Sequence, residues 1–325
     1  MRRREFLGLI GGAVTAWPLA SSAQQSMPVI GYLSGLSAGD RPALLEAFHQ
    51  GLTLAGYAPG RNAAIEYRYA DSKSDRLPEL VADLIARKVA VIVATGGNNP
   101  GLVAKSITPT IPIVFTSGLD PVKVGLVNSI GRPEGNVTGV SFFTVELGHK
   151  HLELMREIVP GAKTVGLLLN RNNPESTTYE QTANEAARAF DLPLLTIAAG
   201  SEAEIDDAFA AFARQRVSGI ILGSDPYYTG RAHQIAELAA RYALPVVYSN
   251  REFTGAGGLI SYGNNLAEAY RRAGVYTGSI LKGDKPADLP IDRANKFELV
   301  VNMKAARALG IDMPLSIQMR IDEVI

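Results

Sequence analysis

One strand pattern occurs twice in the sequence, at residues 111–116 (IPIVFT) and at residues 244–249 (LPVVYS). Both copies read apolar, proline, apolar, valine, aromatic, hydroxyl. A second apolar run precedes each copy, at residues 91–96 (VIVATG) and 219–224 (GIILGS). Buried runs of this length, rich in Val and Ile, are typical of parallel strands that are covered on both faces. The repeat therefore predicts two similar α/β lobes.

Strand and helix patterns alternate outward from the repeat. In the first copy, strands are predicted at residues 29–34, 64–69, 90–95, 111–116 and 136–142, with a helix in each connection. After Pro160-Gly161 the alternation begins again, with a strand at residues 164–170. A repeated β-α-β order predicts a doubly wound parallel sheet in each lobe.

The length of 325 residues suits roughly two domains. We assign residues 27–143 plus about 264–285 to lobe 1, and residues 144–263 plus about 290–325 to lobe 2. Because the C-terminal segment is predicted to recross between the lobes, the hinge is expected to consist of several chain passes. The ligand cleft is expected between the two lobes.

Three aspartates are candidates for helix N-caps. Asp40 is expected to cap a helix whose buried face contains Leu44, Phe48 and Leu52. Asp120 and Asp225 each precede a proline, and Asp at the N-cap with Pro at the first helical position is a strong start signal. We therefore predict a helix that begins at Asp120-Pro121.

Composition excludes several classes of protein and site. Lys plus Arg equals Asp plus Glu at 32 each, so no basic excess indicates nucleic-acid binding. The absence of cysteine excludes disulfides and thiol chemistry. His149 and His151 lie two apart on a predicted helix and do not share a face, which argues against a metal site. With no catalytic motif in view, we predict a protein that is not an enzyme and needs no cofactor.

The first 23 residues have the pattern of a cleaved signal peptide. Arg2-Arg3-Arg4 is followed by a short apolar stretch to Ala20 and by the small residues 21–23. The segment Arg3-Arg4-Glu5-Phe6-Leu7 also fits the twin-arginine pattern. We expect cleavage after Ala23 and a periplasmic mature protein.

The candidate ligand-binding residues lie at the ends of the predicted strands, because open α/β sheets bind ligands there. Hydroxyls, glycine amides, Asn and aromatic rings predominate, which suits a small ligand with a carboxylate and an apolar or aromatic body. The set comprises Ser34, Gly35, Thr95, Gly96, Gly97, Thr116, Ser117, Phe142, Asn170, Ser224, Asp225, Tyr248 and Asn250.

These candidates divide between the two walls of the expected cleft. Thr95, Gly96 and Thr116 are expected to hold a carboxylate from lobe 1, beside a helix start whose free amides favour an anion. Asp225 is expected either to cap a helix or to bind a ligand ammonium. The second wall would be completed by Asn170, Tyr248 and Asn250.

Several motifs along the chain carry a family resemblance. They include residues 30–34 (IGYLS), 110–115 (TIPIVF), 132–141 (RPEGNVTGVS), 257–263 (GGLISYG), 280–290 (ILKGDKPADLP) and 297–302 (FELVVN). With them the chain resembles type I periplasmic binding proteins, and among these the substrate-binding proteins of ABC transporters in the tryptophan/tyrosine-uptake-like family.

The resemblance implies a monomeric receptor that closes around a small-molecule ligand and delivers it to an ABC permease in the inner membrane. Named members of the family take aromatic amino acids, which agrees with an amino-acid-like or aromatic ligand. A periplasmic ligand-sensing module for a membrane signalling protein would have the same fold and site, so that alternative stays open.

Overall fold

The computed structural model describes residues 27–142, 147–173, 176–294 and 296–325. The predicted signal peptide lies outside these ranges. In chain order, the described strands are β1 (Val29–Ser34), β2 (Ala64–Tyr69), β3 (Val91–Thr95), β4 (Ile113–Ser117), β5 (Val137–Ser141), β6 (Val165–Leu169), β7 (Leu194–Ala198), β8 (Ile220–Leu222), β9 (Val246–Tyr248), β10 (Ile260–Asn264), β11 (Asp292–Arg293), β12 (Phe297–Val301) and β13 (Glu323–Val324).

Helices lie in most of the connections between these strands, but in the described residues none lies between β4 and β5. They are α1 (Pro42–Leu54), α2 (Leu77–Ala86), α3 (Asn99–Ile107), α4 (Leu147–Ile158), α5 (Ser176–Ala189), α6 (Glu202–Arg214), α7 (Pro226–Thr229), α8 (Ala232–Arg241), α9 (Arg251–Gly255), α10 (Leu266–Leu281), α11 (Met303–Ala308) and α12 (Leu315–Gln318).

Two sheets form the cores of two lobes, which confirms the predicted α/β fold class. The first sheet has the strand order β11-β5-β4-β3-β1-β2, and the second has the order β13-β12-β10-β9-β8-β6-β7. All pairings are parallel except the antiparallel pair of β10 with β12. Side chains of one strand enter clusters on both faces: Val93 packs on one side and Ile92 on the other. This two-sided burial explains why the strands are almost continuously apolar.

The repeated stretch has the same hydrogen-bonding role in both lobes. Pro112 and Pro245 lie just before β4 and β9, where a proline does not interrupt the strand. Ile92 donates its amide to the Pro112 carbonyl at 2.8 Å, and Ile220 donates to the Pro245 carbonyl at 2.8 Å. The two copies therefore dock onto the preceding strand in the same way, which is the structural basis of the internal repeat.

Three chain passes connect the lobes, after β5, between β10 and α10, and between β11 and β12. The side-chain amide of Asn264 donates to the Phe142 carbonyl, and the Asn265 amide donates to the Lys296 carbonyl at 3.0 Å. These bonds tie the passes to one another. β11 pairs with β5 of the first sheet, so we place the last pass after Arg293 rather than near residue 290.

Helix α10 is the part of the C-terminal segment that returns to lobe 1. It crosses α1 where both helices carry glycine. A Cβ added to Gly51 would lie 1.9 Å from the Arg271 carbonyl oxygen, and one added to Gly274 would lie 2.2 Å from the Phe48 carbonyl oxygen. The helix backbones therefore touch, and this crossing depends on glycine at both positions.

Two of the predicted helix starts are wrong. Asp40 accepts a hydrogen bond from the Ser37 amide, and α1 begins one residue later, with Arg41 at the N-cap position and Pro42 at the first helical position. The Asp120 carboxylate accepts the amides of Val122 and Lys123, but the chain makes turns there instead of a helix. A cap satisfies only the first amides of a helix, and continuation needs an apolar face to bury.

Candidate ligand-binding site

A cleft runs between the lobes at the carboxyl ends of the parallel strands. Its larger part, which we call the outer cavity, has a volume of about 320 Å³. Lobe 1 contributes most of the apolar side chains, among them Leu36, Leu77 and Leu102, together with polar ones such as Ser72 and Asn98. Lobe 2 contributes mainly polar side chains, among them Asn170 and Asn173, together with Pro226 and Tyr227. Apolar surface is therefore concentrated on lobe 1, and hydrogen-bonding groups lie on both walls.

A second space, the inner cavity, continues the cleft toward the hinge and measures about 40 Å³. Phe142 and Tyr270 line it from the hinge side, and Asn250 lines it from lobe 2. Gly97 of lobe 1 and Pro226 of lobe 2 line both cavities, and a Cβ added to Gly97 would lie 4.0 Å from Pro226 Cγ. The two lobes therefore approach each other where the inner and outer cavities adjoin.

The lobe 1 wall at this approach is built from backbone. Gly96 and Gly97 have φ values of +72° and +125°, in the range that glycine adopts at low cost. The Gly96 amide donates to the Tyr270 hydroxyl at 3.2 Å. A Cβ added to Gly35 would lie 2.5 Å from the Gly96 carbonyl oxygen, so the loops after β1 and β3 touch only because both carry glycine.

Asn98 is held in place from behind. Its side-chain oxygen accepts the Ser117 hydroxyl at 2.5 Å and the Gly118 amide at 3.1 Å. Asn98 lines both cavities, and these two bonds occupy its oxygen. The orientation directs the NH₂ group, a donor, away from the supporting loop.

The lobe 2 wall is organised around Asp225. Its carboxylate is only 5% exposed and accepts the side-chain amide of Asn170 at 3.1 Å, that of Asn173 at 2.8 Å and the Tyr228 backbone amide at 3.1 Å. Asp225 is therefore the N-cap of α7, as the capping interpretation predicted. Burial raises the pKa of Asp225, and these hydrogen bonds act in the opposite direction.

The structure brings most of the sequence-predicted residues to the cleft. The outer cavity is lined by Gly35, Gly96, Gly97, Asn170 and Asp225, and the inner cavity by Gly96, Gly97, Thr116, Phe142, Ser224, Asp225 and Asn250. Ser34 instead lines a neighbouring space of about 90 Å³ inside lobe 1. Residues predicted from strand ends in both lobes therefore lie at the cleft.

Three predicted residues lie behind the cleft walls. Thr95 is fully buried, and Ser117 supports Asn98. The Tyr248 prediction is corrected: its ring stacks on Phe253 with centroids 4.7 Å apart, inside the core of lobe 2. Tyr248 is the last residue of its strand, and its side chain enters the helix-covered face of the sheet instead of the crevice.

Sequence reasoning missed Arg41, which lines the inner cavity. Its Nε is buried, and among the described residues its side chain makes no hydrogen bond or ion pair. It also missed Asn172, Asn173 and Tyr227, which line the outer cavity. These residues follow the strand ends by several positions, so extending the search along each loop to the next helix would have found them.

No helix in the described ranges has both the length and the apolar character needed to cross a membrane. The same part of the chain contains no group of three or more His, Asp or Glu arranged to hold a metal ion. His151 is buried in lobe 2, where its ring nitrogens contact the Tyr179 hydroxyl at 2.6 Å and the Tyr262 carbonyl at 2.7 Å. Its partners are those of a core histidine.

Comparisons with known proteins agree with this geometry. The family model described as ABC transporter substrate binding protein matches residues 35–325. A protein named tyrosine-binding protein from Clostridioides difficile (strain R20291) is 23% identical over 276 residues, covering 84% of this chain and 79% of that protein.

Two solved structures extend the comparison. An ABC domain in complex with L-Trp from Streptococcus pneumonia superposes with a TM-score of 0.83 at 24% identity, covering 92% of this chain and 100% of that one. A ligand-free, open substrate-binding protein from Clostridium difficile gives a TM-score of 0.67 at 23% identity, covering 91% and 99%. The fold is that of type I periplasmic binding proteins.

Proposed function

The chain belongs to the ABC transporter substrate-binding protein family, and we propose that it captures a small carboxylate-bearing ligand, amino-acid-like or aromatic, for delivery to a membrane permease. The observation that carries the proposal is the cleft. Loops at the carboxyl ends of both sheets line the same outer cavity of about 320 Å³, so that neither lobe alone forms the site. Proteins of this family are binding proteins and not enzymes.

The lining of the outer cavity supports this ligand class. Apolar side chains of lobe 1, such as Leu36, Leu77 and Leu102, suit an apolar or aromatic body. Asn170 and Asn173 of lobe 2 suit its polar groups. The names of the relatives point the same way, since one is called a tyrosine-binding protein and another was solved with L-Trp.

Lobe closure is the proposed capture step. In the closed arrangement Gly97 approaches Pro226, and a Cβ added to Gly230 of lobe 2 would lie 3.8 Å from the Asp40 carboxylate of lobe 1. A ligand stabilises the closed state only through contacts that it makes there and not in the open state. Because both cavities are lined from both lobes, most of the ligand's contacts require closure.

We assign the contacts of the ligand to residues that line the cavities. Gly96, Gly97 and Thr116 contribute from lobe 1, and Asn170 and Asn250 contribute from lobe 2. Thr95, Ser117 and Tyr248 act indirectly, by holding the walls.

We further propose that the protein works in the periplasm as a monomer, after export through its twin-arginine-like signal and cleavage after Ala23. Cell fractionation followed by N-terminal sequencing tests this step. Recovery of an intact Met1 from the periplasmic fraction would contradict cleavage.

A thermal-shift screen of the purified protein against the proteinogenic amino acids and aromatic carboxylates tests the ligand class. A true ligand at about 100 times its Kd stabilises the native state by about 2.7 kcal/mol and raises Tm by several degrees. Uptake of the radiolabelled ligand by a deletion strain then tests delivery. Binding without any loss of uptake would contradict the transport role and favour the sensing module. The absence of a Tm shift with every acid and amino acid would reject the ligand class.

A further inference from the structure

We propose that Arg41 and Asp225 bind the two charged ends of a zwitterion, so that the cleft selects α-amino acids over the matching plain acids and amines. The inference rests on the proposed function and specifies its ligand class. It depends on two side chains that face one space from opposite lobes, since both line the inner cavity.

Arg41 has no counter-ion among the described residues. It lies at the end of the loop after β1, immediately before Pro42, which fixes the start of α1. The Arg41 side chain separates the inner cavity from the small space beside Ser34, since it lines both. Its Nε is buried without a partner among the described residues. A partly buried guanidinium that no carboxylate compensates gains a favourable interaction from a ligand that supplies one.

Tyr270 provides a second donor next to Arg41. Its hydroxyl accepts the Gly96 amide at 3.2 Å, which leaves the phenolic hydrogen available as a donor. Tyr270 lines the same two spaces as Arg41. Together the guanidinium and the phenol form a site that matches a carboxylate, for which planar, charge-assisted hydrogen bonds from arginine are well suited.

Asp225 is an anion whose hydrogen bonds come only from neutral groups. Asn170, Asn173 and the Tyr228 amide all donate to it, and no Lys or Arg in the described ranges pairs with it. These bonds orient the carboxylate but do not neutralise its charge. An ammonium group in the cleft would do so, because opposite charges attract strongly where water is excluded.

Within the described residues, Arg41 and Asp225 make no ion pair with each other. A plain acid would neutralise Arg41 and leave Asp225 uncompensated, whereas a plain amine would do the reverse. Only a ligand with both groups neutralises the cavity. The inner cavity would therefore take the charged end of an amino acid, and the outer cavity with its leucines would take the side chain.

The test is isothermal titration of the full-length mature protein and its variants with three matched sets of probes. The sets are L-tyrosine, 3-(4-hydroxyphenyl)propanoate and tyramine; L-tryptophan, indole-3-propanoate and tryptamine; and L-leucine, 4-methylpentanoate and isopentylamine. We expect the wild type to prefer the amino acid in at least one set by about 30-fold or more, since an uncompensated buried charge is expensive.

Each variant is expected to lose one of the two charge interactions with the amino acid, the one with its carboxylate or the one with its ammonium group, and to keep the other. Arg41→Gln is expected to weaken amino-acid binding about 30-fold or more and to strengthen binding of the amine, because the amine no longer leaves Arg41 uncompensated. Asp225→Asn, which retains N-capping ability, should weaken amino-acid binding similarly and strengthen binding of the acid. Asp120→Asn is the matched control, because Asp120 also precedes a proline and caps a turn but lines neither cavity. Arg307→Gln is the arginine control, because Arg307 is exposed and lines neither cavity.

The outcomes separate the inference from the proposed function. Equal affinity of the wild type for acid and amino acid, or unchanged amino-acid binding in Arg41→Gln, would overturn the zwitterion model while the receptor function stands. Failure of the wild type to bind any probe or any compound in the thermal-shift screen would reject both. Circular dichroism of each variant establishes that a lost affinity is not a loss of fold.

Discussion

The loops after β3 and β8 occupy equivalent positions in the two lobes, yet they form their walls of the cleft in different ways. In lobe 1 the sequence Thr95-Gly96-Gly97 presents backbone, and no side chain extends from the two glycines. In lobe 2 the sequence Ser224-Asp225-Pro226 presents a carboxylate held by two asparagines. The strands before these loops bond in the same way, through Pro112 and Pro245. The two lobes thus share a framework and differ in their loops.

This difference has a physical reason. Strand positions are constrained on both faces by packing, so most substitutions there leave a void or an overlap. Side chains at the strand ends that face the cleft border a space for a ligand, and they are less constrained by packing than the strands. An asymmetric ligand needs an asymmetric cleft. The two copies could therefore keep their shared fold while their loops acquired opposite chemical character.

The largest expected effect concerns the α1–α10 crossing of lobe 1. The described part of lobe 2 has no equivalent pair of glycines. Gly51→Ala places a methyl group 1.9 Å from the Arg271 carbonyl oxygen. We expect a loss of about 4 kcal/mol in the free energy of unfolding, at the upper end for a single substitution. Urea denaturation measures it, and hydrogen exchange should show the loss in lobe 1.

Gly255→Ala is the control for that change, since Gly255 is helical and a Cβ added there meets no atom within 4 Å. Removing a helical glycine in open space is expected to raise stability by up to about 1 kcal/mol. Equal effects of the two substitutions would show that the crossing is not closely packed.

The second largest expected difference between the lobes is in how the free energy of unfolding depends on pH. Burial lowers the pKa of His151 in lobe 2 to about 4, against an ordinary value of 6.5. The pKa of His151 is lower in the folded state than in the unfolded state. The neutral imidazole therefore contributes stability that is fully present above pH 6.5 and is lost as pH falls toward 4. The expected loss is about 3 kcal/mol over that interval. Unfolding measured at pH 7, 5 and 4 should show it for the wild type but not for His151→Gln.

His49 of lobe 1 serves as the comparison. Burial also lowers its pKa, but the side chain is only half-buried and bonds the Tyr67 hydroxyl at 2.9 Å. Its contribution should therefore be smaller, and His49→Gln should keep most of the acid sensitivity of the wild type. If His151→Gln and His49→Gln lose the acid sensitivity equally, the buried imidazole of His151 is not the source of that sensitivity.

The smallest expected effect concerns Gly96 in the lobe 1 wall of the cleft. Gly96→Ala forces a side chain into positive φ and brings Cβ to 2.6 Å from the Ser34 hydroxyl and 3.0 Å from the Gly35 nitrogen. We expect a loss of about 2 kcal/mol in stability and weaker ligand binding. Gly161→Ala, at φ +82° with nothing within 4 Å, should cost about 1 kcal/mol and leave binding unchanged. Calorimetry and titration on both variants compare them directly.

The strands could be predicted because their signal is local and strong. Runs such as residues 91–95 are apolar at every position, and two-sided burial leaves no other arrangement. The helix predicted at Asp120-Pro121 was wrong because a cap reports only how a helix can begin. The crossing of Gly51 with Gly274 joins positions more than two hundred residues apart, and neither residue carries a local sign of its partner.

The lining of the cleft was predicted in outline, but Arg41 was missed. Strand ends indicated Gly96, Asn170 and Asp225, which line the outer cavity, and their contact with a ligand stays a prediction. Arg41 was missed because a charged residue in a loop usually faces solvent, and only the structure shows it facing the inner cavity without a partner. Tyr248 was predicted as a ligand contact because of its place at a strand end, but pleating turned its ring into the core.

The position of α10 also determines the order in which the protein is completed during synthesis. Lobe 1 begins at residue 29, but the helix that covers its α1 lies at Leu266–Leu281, after the second-sheet strands β6–β10. At about 5–20 residues per second, a ribosome needs roughly ten seconds to pass from β5 to α10. During that interval Gly51 and its neighbours on α1 have no partner helix. Lobe 1 is therefore completed only after α10 has been synthesised. Until then α1 stays accessible, and it is the part of lobe 1 that a chaperone can bind for longest.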